Sequence, residues 1–182
     1  MNGAIVCLAL LACFFSLPAH AGGGETSTGE KITVRVNLDR YMGRWYEIAR
    51  LPMWFQRGCV ESWATYTLAG TETVRVVNEC ITEQGGRKIA EGTATVVDKA
   101  TNSRLEVVFD NWFSRLLPFL ARGKYWIFHI DPDYQHAVVG HPNRKYLWIL
   151  SRSPRIEEET YLDLVSIARE LGFDTSRLVR SK

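Results

Sequence analysis

Across residues 34–151, apolar and polar positions alternate in short runs rich in β-branched and aromatic side chains, the period-two pattern of strands with one buried face. The runs predict strands near 44–50, 60–68, 73–80, 87–97, 104–110, 124–130, 134–140 and 145–151. The breaks are hairpin-sized and carry turn residues, as in Ala69-Gly70-Thr71-Glu72, Gln84-Gly85-Gly86, Lys99-Ala100-Thr101-Asn102, Asp131-Pro132-Asp133 and His141-Pro142-Asn143-Arg144. Short connections make successive strands antiparallel neighbours, so the pattern predicts an up-and-down meander, in a barrel or a sandwich.

After the last run the period changes to 3.6. Ser153-Pro154 precedes an acidic first turn at Glu157, Glu158 and Glu159; Tyr161, Leu164, Val165, Ala168 and Leu171 then share one face, and Gly172 ends the pattern. One amphipathic helix of about four turns is expected, with a short strand near 178–180. The last long strand is apolar on both faces, with Tyr146, Trp148 and Leu150 on one and Leu147 and Ile149 on the other. Burial on both sides of an antiparallel sheet needs an outer cover, and the downstream helix supplies it.

Two strands set small or apolar side chains against polar ones: Ala90, Gly92, Ala94 and Val96 alternate with Glu91, Thr93 and Thr95, and Leu105, Val107 and Phe109 alternate with Arg104 and Glu106. Facing into an eight-stranded barrel, such a mixture leaves room for a ligand; periodicity alone does not distinguish that from a filled core. Two longer connections are unusually apolar, one around Trp54 and Phe55, the other spanning residues 112–120 with Trp112, Phe113, Leu116 and Leu117. Loops over a surface are normally polar, so both are expected to lid a cavity or to touch a partner or a membrane.

A chain of 182 residues, 46% hydrophobic and 23% charged, suits one domain. Its 22 basic and 20 acidic residues are scattered, which argues against a nucleic-acid partner. Residues 1–21 hold the apolar run of a secretory signal ending in Ala19-His20-Ala21, residues 22–33 form a flexible leader, and residues 34–182 form the domain. Leu10-Leu11-Ala12-Cys13 also admits an outer-membrane lipoprotein acylated at Cys13; soluble export to the periplasm or medium is the expectation, because Phe14-Phe15 follow where a polar linker would. Cys59 and Cys80 remain after signal removal and read as one disulfide in an oxidising compartment. No Cys/His spacing suggests a metal site.

The chain resembles the lipocalins. Gly43-Arg44-Trp45 matches the family's first G-x-W signature, Asp133-Tyr134 the second, and Arg152 after Trp148-Ile149-Leu150-Ser151 the third. The resemblance looks closest to the bacterial members and apolipoprotein D, through Arg44-Trp45-Tyr46-Glu47-Ile48-Ala49-Arg50 and Ala64-Thr65-Tyr66. It implies an eight-stranded antiparallel up-and-down β-barrel with a C-terminal α-helix packed outside. It also implies that Arg152 lies across the Trp45 ring and closes the barrel base, a structural contact.

The same resemblance implies a calyx lined by Ala64, Tyr66, Asn78, Phe109, Trp126, Phe128 and Trp148, with Trp54 and Phe55 as its lid. The function expected from it is the binding, transport or storage of a small apolar ligand, a fatty acid or lysophospholipid, with no cofactor and no catalysis. A second class, an enzyme on the same barrel, has His129, His136 and His141 as bases to consider and Glu47 as the carboxylate to test, but no nucleophile motif. A third is surface interaction: Trp63 faces outward if Ala64 and Tyr66 face inward, and with the apolar loops it would serve a membrane contact or a homodimer.

Overall fold

A computed structural model describes residues 34–110 and 122–181. The expected signal, the leader and the apolar connection at 112–120 lie outside the described residues.

A short helical turn, α1 (Leu38–Tyr41), leads into eight strands: β1 (Gly43–Arg50), β2 (Cys59–Leu68), β3 (Thr73–Thr82), β4 (Arg87–Val96), β5 (Arg104–Phe109), β6 (Arg122–Ile130), β7 (His136–Gly140) and β8 (Leu147–Ser151). Helix α2 (Glu158–Glu170) and a two-residue strand, β9 (Val179–Arg180), follow. Every neighbouring pair from β2 to β8 is antiparallel. Strand β1 pairs with both β8 and β2, so the sheet closes into the expected barrel. Pairing of β1 with β2 stops at Tyr46, and β9 takes the vacated edge at Ala49 and Arg50. A closed sheet with that edge covered leaves little backbone open to another chain.

Directly opposed residues share a face of a sheet. Trp45 opposes Ala64, Tyr66 opposes Val76, Val76 opposes Gly92, Leu105 opposes Tyr125, and Val139 opposes Trp148. These positions point inward, and all but Gly92 belong to one cluster of buried and partly buried side chains. A second cluster lies outside the wall, where Ile48, Ala49, Phe128, Val138, Leu147 and Ile149 meet Tyr161, Leu164, Val165 and Ala168 of α2. The two apolar faces of β8 thus serve two separate cores.

Two strands begin later than alternation suggests. Asp131 accepts hydrogen bonds from the backbone N–H of Gln135 (2.7 Å) and of His136 (2.9 Å), and Tyr134 adopts φ +59°, so the chain is still turning where β7 was expected. Before β8, Arg144 has φ +64° and the Lys145 N–H donates to the Asn143 side chain at 3.0 Å. Side-chain bonds to the backbone compete with ladder pairing in both places.

Cys59 and Cys80 form the expected disulfide, with Cα atoms 5.6 Å apart, tying the start of β2 to β3. It closes a loop of sequence separation 21. Its reduction is expected to cost about 3 kcal/mol by loop-closure entropy; urea unfolding with and without reductant measures this, and an unchanged midpoint would refute it.

Candidate functional site

The three signature segments converge at the barrel base. Trp45 is fully buried, and its Nε1–H donates to the Tyr41 carbonyl at 2.8 Å. The Arg152 guanidinium lies 3.9 Å from the Trp45 ring centroid. It donates to the carbonyls of Arg40 (2.7 Å), Arg44 (2.9 Å) and Tyr134 (3.2 Å). Gly43 sits at φ +97°, where a Cβ would come within 3.2 Å of Arg152 Nη1, so both the backbone and the stacked cation favour glycine. Tyr134 is buried, lies under Arg40 and accepts the Asn37 N–H at 2.8 Å. Asp133 is exposed, and Asp131, two residues earlier, holds the turn instead. The base is a structural plug, built partly from α1 and its N-cap; the alternation pattern did not single out Arg40 of the helix or the capping Asn37.

Above the base, inward positions keep some accessibility. Val74, Val96, Leu105, Ile127 and Leu150 are buried, whereas Asn78, Ala90, Phe109, Gly123, Tyr125 and Trp148, all inward by register, remain partly accessible. At Gly92 a Cβ would approach the Val108 carbonyl to 2.6 Å and the Phe109 ring to 3.0 Å, so only glycine lets Phe109 lie against β4. Ala64, Tyr66, Asn78, Phe109 and Trp148 therefore share the barrel interior.

Trp126 and Phe128 do not line it. Trp126 opposes the outward Arg104, whose guanidinium lies 4.6 Å from its ring, and Phe128 packs edge-on against Phe173 with centroids 5.2 Å apart. A bulge between Ile127 and His129 keeps Phe128 outside while returning Ile130 to the inner face. Both faces of β6 are apolar, so alternation did not show that Tyr125 and Ile127 are the inward pair.

Besides Asn78, the interior carries two polar clusters among the described residues. Glu47 (5% exposed) and Arg50 (8% exposed) face inward from β1 and pair at 3.2 Å. Gln56, on the 3-10 turn Trp54–Gln56, donates Nε2–H to Glu47 at 2.8 Å and accepts from Trp148 Nε1 at 3.0 Å; the Ser181 hydroxyl also donates to Glu47 at 3.2 Å. Burial pushes the Glu47 carboxyl above the usual carboxylate range, and Arg50, Gln56 and Ser181 pull it back. Deeper lie Tyr41, Tyr66 and Tyr125, whose hydroxyls meet: Tyr41 with Tyr125 at 2.7 Å, and Tyr66 donating to Tyr125 at 3.1 Å. Tyr41, Tyr125, Arg50 and Gln56 were not foreseen; for Tyr125 the signal was its register opposite Leu105.

Trp54 and Phe55 are 51% and 46% exposed on the β1–β2 connection, edge to face with centroids 5.7 Å apart. Phe55 also reaches Tyr146 at 5.9 Å, and neighbouring Gln56 fixes the turn to Trp148. Outside the wall, Trp63 faces outward as expected, under Arg44 and donating its N–H to Glu79. His136 pairs with Asp131 at 2.7 Å on the face opposite Ala137, away from the interior.

A family model described as a lipocalin-like domain matches residues 36–182. The chain is 48% identical over 146 residues to temperature-induced lipocalin-1 of Arabidopsis thaliana, covering 79% of this chain and 77% of that protein. It is 37% identical over 151 residues to the outer membrane lipoprotein Blc of Escherichia coli (strain K12), covering 81% of each. The solved structure of insecticyanin from Manduca sexta superposes with a TM-score of 0.62 at 20% identity, covering 82% of each chain. The closed eight-stranded barrel, its base plug, the outer helix and these similarities lead to one conclusion: the chain belongs to the lipocalin family, whose members bind small hydrophobic ligands.

Proposed function

We propose that this lipocalin carries or stores small apolar molecules in the barrel, with long-chain fatty acids and lysophospholipids as the ligand classes to test. The observation that carries this reading is the contrast between the filled base and the still accessible inner wall at Asn78, Phe109, Tyr125 and Trp148. Apolar surface there contributes affinity of about 25 cal/mol per Å² removed from water, and the few polar groups orient the ligand. Trp54 and Phe55, exposed beside the Gln56 latch, are proposed as the lid.

Titration with a long-chain fatty acid is expected to quench tryptophan fluorescence, and Trp148→Ala to weaken binding about tenfold, the equivalent of ~1.4 kcal/mol. Delipidated protein that bound no lipid at high micromolar concentration would overturn the reading. For location we propose export, to the periplasm or medium after removal of residues 1–21, or as an outer-membrane lipoprotein acylated at Cys13; mass spectrometry of the mature N-terminus separates the two.

A further inference from the structure

The three phenols of the barrel interior contain one more proton than they use among themselves. Tyr41, Tyr66 and Tyr125 bring three O–H donors and make two hydrogen bonds with one another. No other partner for these hydroxyls is found among the described residues. Tyr66 donates to Tyr125, so the unmatched proton belongs to Tyr125 or Tyr41. Tyr41 is 3% exposed and wedged between Trp45 and Tyr66, with centroids 5.1 and 5.4 Å away. Tyr125 is inward-facing and partly accessible, and the Tyr41–Tyr125 bond admits either hydroxyl as donor; with Tyr41 donating, the Tyr125 oxygen receives both neighbours and its own O–H is left for the interior. Accepting two hydrogen bonds polarises that O–H and makes it a better donor.

A buried donor left unmatched costs free energy, so this proton requires an acceptor beyond the described residues, which water or a ligand supplies. Burial holds Tyr66 up at about 12, and Tyr41 and Tyr125 are also well above their usual value, so all three stay neutral donors near neutral pH. A second unmatched donor, Arg50 Nε, lies on the same inner wall. Among the described residues no cation is hydrogen-bonded to these phenols: Arg50 is paired with Glu47, and Arg152, the cation that acts on Tyr41, lies over Trp45 and is held by three carbonyls of the base. A carboxylate seated at the phenols would be a buried charge with no cation among the described residues bonded at that seat, which is costly.

We propose that the Tyr41–Tyr66–Tyr125 cluster seats a neutral hydrogen-bond acceptor, the carbonyl of a ketone, aldehyde or ester at the inserted end of an apolar ligand. The proposal rests on the barrel interior being the binding site and selects among its ligands: the acceptor enters first and lies against Tyr125.

The test compares a long-chain methyl ketone, the alkane of equal length and the ionised fatty acid in the intact protein. The wild type is expected to bind the ketone about three- to tenfold more tightly than the alkane, the gain of one net hydrogen bond. The triple variant Tyr41→Phe, Tyr66→Phe, Tyr125→Phe removes all three hydroxyls at once and strands none; its ketone-to-alkane ratio is expected to fall to about one, with alkane affinity retained. Tyr41→Phe with Tyr66→Phe leaves the Tyr125 donor and should keep the preference. With a ¹³C-labelled ketone, the bound carbonyl stretch should lie at lower wavenumber in the wild type than in the triple variant.

Equal ketone and alkane binding in the wild type, or a preference that survives in the triple variant, would overturn the proposal alone. A fatty-acid affinity lost in the triple variant would overturn its neutrality. Should the triple variant not fold, an unshifted carbonyl band in the wild type is sufficient to reject the seat. Failure of the wild type to bind any of the three probes would remove the calyx reading and this one together.

Discussion

Trp45→Ala is expected to lower stability by about 4 kcal/mol, near the middle of the range for deleting a buried aromatic. The ring is fully buried, and its removal takes away packing against Tyr41, the bond to the Tyr41 carbonyl and the platform under Arg152. Collapse into the space is limited because Arg152 stays tied to carbonyls from three segments. The plug meets the inner wall through Tyr41, which packs on Trp45, so ligand affinity of the folded variant should fall by less than the tenfold that corresponds to ~1.4 kcal/mol. Urea unfolding measures the first quantity and lipid titration the second. A loss below about 1 kcal/mol would mean that the base tolerates a cavity of this size and is not the plug described.

Arg50→Met should produce a loss of similar size with a different pH signature. The variant keeps Glu47 buried and removes its counter-charge, a change that costs about 3 to 5 kcal/mol when a buried pair is broken from one side. The native chain already holds the Glu47 proton more tightly than the unfolded chain, because burial raises the carboxyl. Stability therefore falls as pH rises from the ordinary carboxylate value through the raised one. Without Arg50 the carboxyl moves higher still and the fall becomes larger. The deficit of Arg50→Met should be greatest at neutral pH and shrink in acid, where Glu47 is protonated in both states. Adding Glu47→Gln should restore most of the loss. An equal deficit at acid and neutral pH would show that only packing had been removed.

Gln56 links this pair to ligand binding. It bonds Glu47 with one end of its amide and Trp148 with the other, so the connection carrying Trp54 and Phe55 is held by a polar contact inside the barrel. Loss of the charge balance at Arg50 would also disturb that latch.

Much of the architecture was legible because a barrel with one covered face writes period two into every strand and its covering helix writes 3.6. The eight strands, the disulfide pair, the Trp45–Arg152 contact and α2 all follow from local patterns or short signatures. Where alternation is degenerate, the reading failed: β6 is aromatic or aliphatic at four successive positions from Tyr125 to Phe128, because its inner face meets the barrel and its outer face meets Phe173 and Arg144. Strand pairing chose Tyr125 and Ile127 for the interior and sent Trp126 and Phe128 outside. At the second signature, Asp133 is conspicuous in the sequence, yet Asp131 has the carboxylate that reaches the Gln135 and His136 amides.

By itself, then, the amino-acid order determined the eight barrel strands and the outer helix, though not the short turn α1, because hydrophobic periodicity is a local consequence of which face each element buries. Only the tertiary structure decided which polar groups meet inside. Glu47, Arg50 and Gln56 come together across a bulge and a loop, and Tyr41, Tyr66 and Tyr125 from α1, β2 and β6. A hydrogen-bond count depends on distances between segments far apart in the chain, and periodicity carries no record of those distances.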